Sequence, residues 1–205
     1  MPKPHGGKLI NRSIKKEPSD LSKLPKFEIN ANLSEDVLNI SNGVFSPLKG
    51  FLCRNDLENV LNEKRLEDDT PWTIPILLDL NKKDIKDIQE GDRVLLTNKE
   101  NGVMALLDID EIYTYNKKTL AQAVYGTQDT IHPGVTNINN MKQILLGGKI
   151  TILNSKTRNF DEYNLSPKET RILFKEKRWK EIVAFQTRNP PHIGHEYVQK
   201  TALTF

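Results

Sequence analysis

Between Gln186 and Glu196 the sequence reads Gln-Thr-Arg-Asn-Pro-Pro-His-Ile-Gly-His-Glu, which concentrates most of the chain's useful polar chemistry in one place. His192 and His195 are three residues apart, so on a helix beginning there they share one face near its N-terminus. That end of a helix carries unpaired N–H groups and the positive pole of its dipole, which suits an anion. Two imidazoles placed there can donate to phosphate oxygens and stabilise charge developing on a phosphoryl leaving group. Gly194 lets a bulky phosphate come close to the backbone. Arg188 offers a planar donor fork matched to a tetrahedral oxyanion or a phosphate. Gln186 and Asn189 add neutral donors, and the Thr187 hydroxyl can bond a phosphoryl oxygen or simply pack. Pro190 and Pro191 stiffen the loop and lower the entropy cost of ordering it around a ligand. Taken alone, a His-x-x-His pair is more often structural than functional, and it also has metal-ligand spacing. No cysteine or well-placed carboxylate completes a metal site, so none is expected here, and Glu196 reads as support for the helix start.

These residues need elements to hold them. Ile182-Val183-Ala184-Phe185 is a short unbroken apolar run, as expected of a strand buried on both faces, and a helix should begin near Gly194. A loop in that position lies beyond the carboxyl end of its strand, where open α/β sheets bind ligands. Upstream, Ser166-Pro167-Lys168-Glu169 is a capping box with proline at the first helical position. Ile172, Leu173 and Phe174 give that helix its apolar face, and it should end before Trp179. The order is the opening of an α/β domain, of which the 205 residues are expected to hold only the beginning.

Residues before about 164 read differently. Residues 1 to about 30 carry prolines, glycines and charges without periodicity and are expected to form an extended, solvated lead-in with a basic lean. Asn42-Gly43 and Pro47 to Gly50 mark turns. A helix capped by Asn55 should carry Leu57, Val60 and Leu61. Trp72 to Leu80 reads as a strand, which Pro75 confines to an edge or a bulge. The clearest signal is a hairpin: Arg93–Thr97 and Val103–Leu107 flank Asn101-Gly102, and the second strand can run on to Tyr115. Thr119 can cap a short helix through Val124. Ile150–Leu153 reads as a strand entered through a Gly147-Gly148 turn. The segment is β-rich with short helices and has no internal repeat.

Composition narrows the class. Hydrophobic content of 37% and charged content of 28% suit a polar-surfaced globular protein. No apolar run approaches the roughly 20 residues that span a bilayer, and no secretory signal opens the chain, so a cytoplasmic protein without membrane partner is expected. The lone Cys53 excludes an internal disulfide and reads as a small buried apolar residue. A net charge of +3 and 7% aromatic residues argue against a nucleic-acid surface. His132, before Pro133-Gly134, can stabilise a turn or reach a site across a domain boundary. His5 can pack the lead-in or meet another subunit.

His192-Ile193-Gly194-His195 resembles the signature of nucleotide-activating α/β enzymes, among them class I aminoacyl-tRNA synthetases and nucleotidylyltransferases. The longer form from Gln186 to Glu196 resembles the ATP sulfurylase family, which usually has Arg-Ala or Arg-Gly after the first histidine where this chain has Ile193-Gly194. Pro4–Leu9, Gly43–Phe51, Trp72–Ile76 and Gly126–Val135 are similar to further segments of that family, in the same order. The resemblance implies a PUA-like β-rich domain over 1–163 and the start of a Rossmann-like nucleotidylyltransferase domain over 164–205. It implies conversion of ATP and sulfate to adenosine 5′-phosphosulfate and pyrophosphate, with Gln186 and Arg188 on sulfate. Thr187, Arg188 and Asn189 would line the reacting centre. Gln186 to Asn189 with His192 and His195 would contact ATP. Magnesium would accompany ATP, and a homo-oligomer is expected. A second nucleotide-binding element, Gly-Arg-Asp-His-Ala-Gly, is expected after residue 205. A fragment of another His-x-Gly-His enzyme and an inactive PUA-like binding module are the competing readings.

Overall fold

The structure is a computed structural model that describes residues 2–14, 21–100, 102–154 and 163–204. In chain order the larger body contains β1 (Lys26–Glu28), α1 (Ala31–Asn42), β2 (Gly50–Phe51), α2 (Arg54–Glu63) and β3 (Leu78–Leu80). There follow β4 (Arg93–Thr97), β5 (Met104–Thr114), α3 (Lys117–Tyr125), α4 (Pro133–Asn140) and β6 (Ile144–Asn154). Two further α-helices follow, α5 (Pro167–Lys177) and α6 (Ile193–Ala202). The chain divides into two compact bodies, Pro2–Lys168 and Glu169–Phe205.

The larger body is built on one six-stranded sheet ordered β1-β4-β5-β6-β2, with β3 also paired to β6. All pairings are antiparallel except β1 with β4. The expected hairpin is present as β4 and β5, in register from Arg93 opposite Asp108 to Thr97 opposite Met104. Gly102 sits in its turn at φ 66°, a left-handed value natural to glycine, while Asn101 lies outside the described residues.

Along β5 the alternation of faces breaks once. Ile109 pairs with Gly148 and Glu111 with Gly147, so Asp110 is an extra residue in a bulge. Before it, Ala105, Leu107 and Ile109 join the main core with Val37 and Ile40 of α1. After it, Ile112 keeps to that core while Tyr113 turns to a second cluster made by α2, α3 and α4. One added residue thus gives a single strand two cores. It also corrects the expected turn at Gly147-Gly148, because both glycines lie inside β6. A Cβ on Gly148 would stand 2.1 Å from the Asp108 carbonyl oxygen, and one on Gly147 would stand 2.7 Å from the Cys53 Cα. Close backbone approach, not a turn, demands glycine here.

The lead-in is docked over residues 2–14 by a few bonds, while most of its residues stay exposed, as a solvated arm should. Ile10 is buried and its N–H donates to Ser46 Oγ. Arg12 Nε donates to the Ile150 carbonyl at 2.8 Å, and Ser13 forms a parallel bridge to Ile152. His5 Nε2 is 2.8 Å from the Pro71 carbonyl, so it packs this segment. Helix α1, which no sequence expectation covered, is capped by the Asn30 side chain accepting from Leu33 N–H. Cys53, not Asn55, occupies the N-cap of α2, and Asn116, not Thr119, caps α3 by accepting from Lys118 and Thr119. The N–H of Arg54 instead finds the Glu111 carboxylate at 2.8 Å, which satisfies the start of α2 from β5. Cys53 is half-buried, and burial pushes its thiol up to about 11. From the Trp72–Leu80 run only Leu78–Leu80 pairs as a strand.

Two outcomes follow from this packing. Leu107 is fully buried on β5, so Leu107→Ala should cost roughly 2–5 kcal/mol in urea unfolding. Half-buried Asp36 on α1 has its carboxyl pushed up to about 6 by burial and by neighbouring Glu35. The folded state therefore holds the proton more tightly, and stability is full below the ordinary carboxylate range and falls as pH rises towards 6. Asp36→Asn should then stabilise the fold by about 1 kcal/mol at pH 8, allowing for partial solvent screening, and by nothing measurable at pH 4.

Candidate functional site

The smaller body carries every residue of the 186–196 strip. Helix α5 begins at Pro167 and ends at Lys177, as the sequence predicts. The strand expected over Ile182–Phe185 does not form: Ile182, Val183 and Phe185 are exposed, and the segment has no strand partner among the described residues. A strand exists only by pairing, so apolar character alone does not make one.

Helix α6 starts at Ile193 and its first turn is organised by the two histidines. His192 is the N-cap, in extended conformation, and its Nδ1 accepts from Gly194 N–H at 3.1 Å. His195 Nδ1 returns the favour by accepting from His192 N–H at 3.1 Å. This is the reciprocal logic of a capping box with imidazoles in place of hydroxyl and carboxylate. The two rings lie 3.9 Å apart between centroids, and Phe185 meets His195 edge-on at 5.6 Å. Because each Nδ1 accepts, the ring proton of each neutral histidine must sit on Nε2. Both rings therefore offer an Nε2–H donor at the positive end of α6. The Ile193 N–H has no acceptor among the described residues, which leaves a backbone donor beside them.

Ahead of the helix, Asn189 N–H donates to Thr187 Oγ1 at 3.1 Å and shapes a tight turn. Gln186 and Arg188 are exposed, and their side chains take no hydrogen bond or ion pair among the described residues. Their donors are thus free for a ligand. Of the expected site residues, the structure brings His192 onto His195 and Thr187 onto Asn189. A groove of about 530 Å³ runs beside His192 along α6 to Lys200. Glu196 forms an i,i+4 ion pair with Lys200, consistent with its reading as a helix-supporting residue. Lys200 is a cation at this groove that the sequence reading did not single out. Its signal was the spacing of four from Glu196. His132 lies in the other body, where its Nδ1 accepts from Gly134 N–H at the start of α4 and its ring packs on Tyr125 at 4.7 Å. It stabilises a turn.

The PUA-like domain family matches residues 2–155, and the ATP-sulfurylase family matches residues 161–205. The chain belongs to the PUA-like domain family. It is 51% identical to the sulfate adenylyltransferase of Pyrococcus abyssi over 99% of this chain and 54% of that protein. It is 46% identical to that of Staphylothermus marinus, over 100% of this chain and 55% of that protein. For the Halothermothrix orenii protein of the same name identity is 43%, over 99% of this chain and 55% of that one. The chain thus spans about half the length of these relatives. In fold it is like the hexameric APS kinase from Thiobacillus denitrificans, with a TM-score of 0.72 at 23% identity, covering 98% of this chain and 37% of that one. The expected α+β architecture with a β-rich PUA-like domain is what the sheet and the family match show. No helix among the described residues is long and apolar enough to cross a membrane.

The histidine caps can be separated from the donor role. His192→Ala removes an acceptor for the Gly194 N–H and should cost on the order of 1 kcal/mol of local stability, about fivefold faster exchange of that amide. His192→Asn keeps an acceptor at the N-cap and should restore protection. Equal exchange in wild type and His192→Ala would show that the cap does not hold the turn.

Proposed function

We propose that the chain supplies the PUA-like domain and the opening of the catalytic domain of a sulfate adenylyltransferase, with the change of domain near residue 164. The observation that supports this most directly is the pair of Nδ1-capped histidines heading α6, just after an Arg188 with no partner among the described residues. It suits phosphoryl chemistry, and the name shared by the relatives narrows the second oxyanion to sulfate. A tRNA synthetase fragment or an RNA-binding PUA-like module is not favoured by those relatives.

In this reading a sulfate oxygen attacks the α-phosphorus of ATP. The new S–O–P link forms as the Pα–O bond to the β-phosphate breaks, and pyrophosphate leaves with the bonding electrons. Sulfate is already a dianion at neutral pH, so no general base is needed and no covalent enzyme intermediate forms. Gln186 and Arg188 hold sulfate. Thr187, Arg188 and Asn189 line the reacting centre, and Gln186 to Asn189 also face ATP. His192 and His195 donate their Nε2–H groups to its phosphates. Sulfate is a weak nucleophile, so the rate rests on positioning and on charge stabilisation. Neutral Nε2–H donors fit this task because two caps fix their direction before substrate arrives.

Magnesium would accompany ATP. It would be held mainly by the nucleotide's own phosphates. Such an ion would neutralise phosphate charge. The same reading expects a cytoplasmic enzyme acting on dissolved ATP and sulfate, and an assembly of several copies, as in the fold relative described as hexameric.

The test uses the full-length protein that contains this chain. Pyrophosphate release from ATP should depend on sulfate, and Arg188→Ala should lower it by about 100-fold or more. Undiminished release by Arg188→Ala would show that the strip does not hold the oxyanion.

A further inference from the structure

Among the described residues, Phe185 is the one aromatic side chain outside the polar strip whose ring meets the histidine pair. Its ring stands 5.6 Å from that of His195 at an interplanar angle of 71°, an edge-to-face arrangement. It is 40% exposed, so it stands at the surface of this body beside the imidazole. In sequence it immediately precedes Gln186, the first residue of the strip.

The hydrogen bond at Nδ1 fixes one point of the His195 ring and leaves its plane to whatever packs on it. His192 packs at 3.9 Å between centroids, and the hydrogen bond of that ring goes to the adjacent Gly194 N–H. Among the ring contacts of the described residues, Phe185 is the one that ties the His195 ring to a residue beyond the His192 cap. Because it is bonded directly to Gln186, the same ring fixes how far the start of α6 stands from the strip Gln186–Asn189. Among the described residues no side-chain hydrogen bond joins the two halves of the site: Thr187 bonds to Asn189, His195 accepts from His192 N–H and His192 accepts from Gly194 N–H.

We propose that Phe185 is a positioning residue that couples the strip Gln186–Asn189 to His195, setting the distance between the oxyanion and the nucleotide phosphates. The inference rests on the functional reading above. Each half-site can bind its own ligand without Phe185, because the donors belong to other residues. What the ring supplies is their mutual geometry, and that matters only when both substrates must meet. Its loss should appear in turnover and not in either affinity.

The experiment compares Phe185→Leu and Phe185→Tyr in the full-length protein, with melting curves to normalise for folded protein. Leucine keeps the apolar character and removes the ring; tyrosine keeps the ring, and its hydroxyl can reach solvent. Phe185→Leu should lower kcat by about 10- to 100-fold with KM for ATP and for sulfate within about threefold of wild type. Phe185→Tyr should stay within about threefold in kcat. The proposal is overturned if Phe185→Leu turns over within about twofold of wild type, if its loss lies in KM, or if tyrosine fails to rescue it. Arg188→Ala run alongside keeps the two layers apart. If that variant retains sulfate-dependent release, the underlying reading fails whatever Phe185 does. If it is inactive while Phe185→Leu is not slowed, only the positioning role falls.

Discussion

The crowded crossing of β5 and β6 governs the larger body. Asp110 is inserted opposite no partner, and Gly148 admits the bulge because any side chain there would meet the Asp108 carbonyl. What this gives is a change of face along one strand. The residues before the bulge close over α1, and Tyr113 after it closes over α2, α3 and α4. Glu111 and Tyr113 then hold the start of α2. The carboxylate accepts from Arg54 N–H and pairs with its guanidinium at 3.2 Å, and the Tyr113 hydroxyl donates to the Leu52 carbonyl at 2.7 Å. Burial pushes the Tyr113 hydroxyl well above its ordinary range, so it stays a neutral donor. Helix α2 thus needs no capping side chain of its own, and Cys53 can occupy its N-cap without making one.

The smaller body uses the same economy of means at a helix start, with a different result. In α2 a distant carboxylate satisfies the first N–H, which leaves that terminus without appetite for an anion. In α6 the satisfying groups are neutral imidazoles. They quiet two backbone donors without cancelling the dipole, and each replaces the N–H it covers with an Nε2–H further out. The terminus therefore keeps its preference for negative charge. The contrast explains why the two helix starts in one chain have such different chemical prospects.

How much of this was legible beforehand can be traced residue by residue. The β4–β5 hairpin was readable because Asn101-Gly102 separates two apolar runs. The start of α6 was readable because Pro190 and Pro191 hold the preceding residues in a loop, so a helix can begin only after them. Helix α1 escaped because its apolar stripe of Leu33, Val37 and Ile40 is diluted by asparagine and serine, and its cap, Asn30, lies in what reads as an irregular arm. The docking of residues 2–14 depends on partners more than a hundred residues away, such as Ile150 for Arg12, and no local pattern encodes that. The Gly147-Gly148 pair was misread because a glycine needed for close approach looks the same in sequence as one needed for a turn.

In the site itself the residue types were legible and their states were not. A sequence can say that His192 and His195 share a helix face, but not that each Nδ1 is taken by a backbone amide. That assignment decides which nitrogen faces a ligand and makes the pair donors. The same geometry argues against the alternative use of His-x-x-His spacing. A metal would need a lone pair that points outward, and with Nδ1 accepting from the backbone the outward nitrogen carries the proton. Binding a metal through Nε2 would require each ring to move that proton to Nδ1 and release its cap, which opposes the fold of α6. The caps therefore do more than begin a helix: they bias a chemically ambiguous pair towards donating hydrogen bonds to an anion.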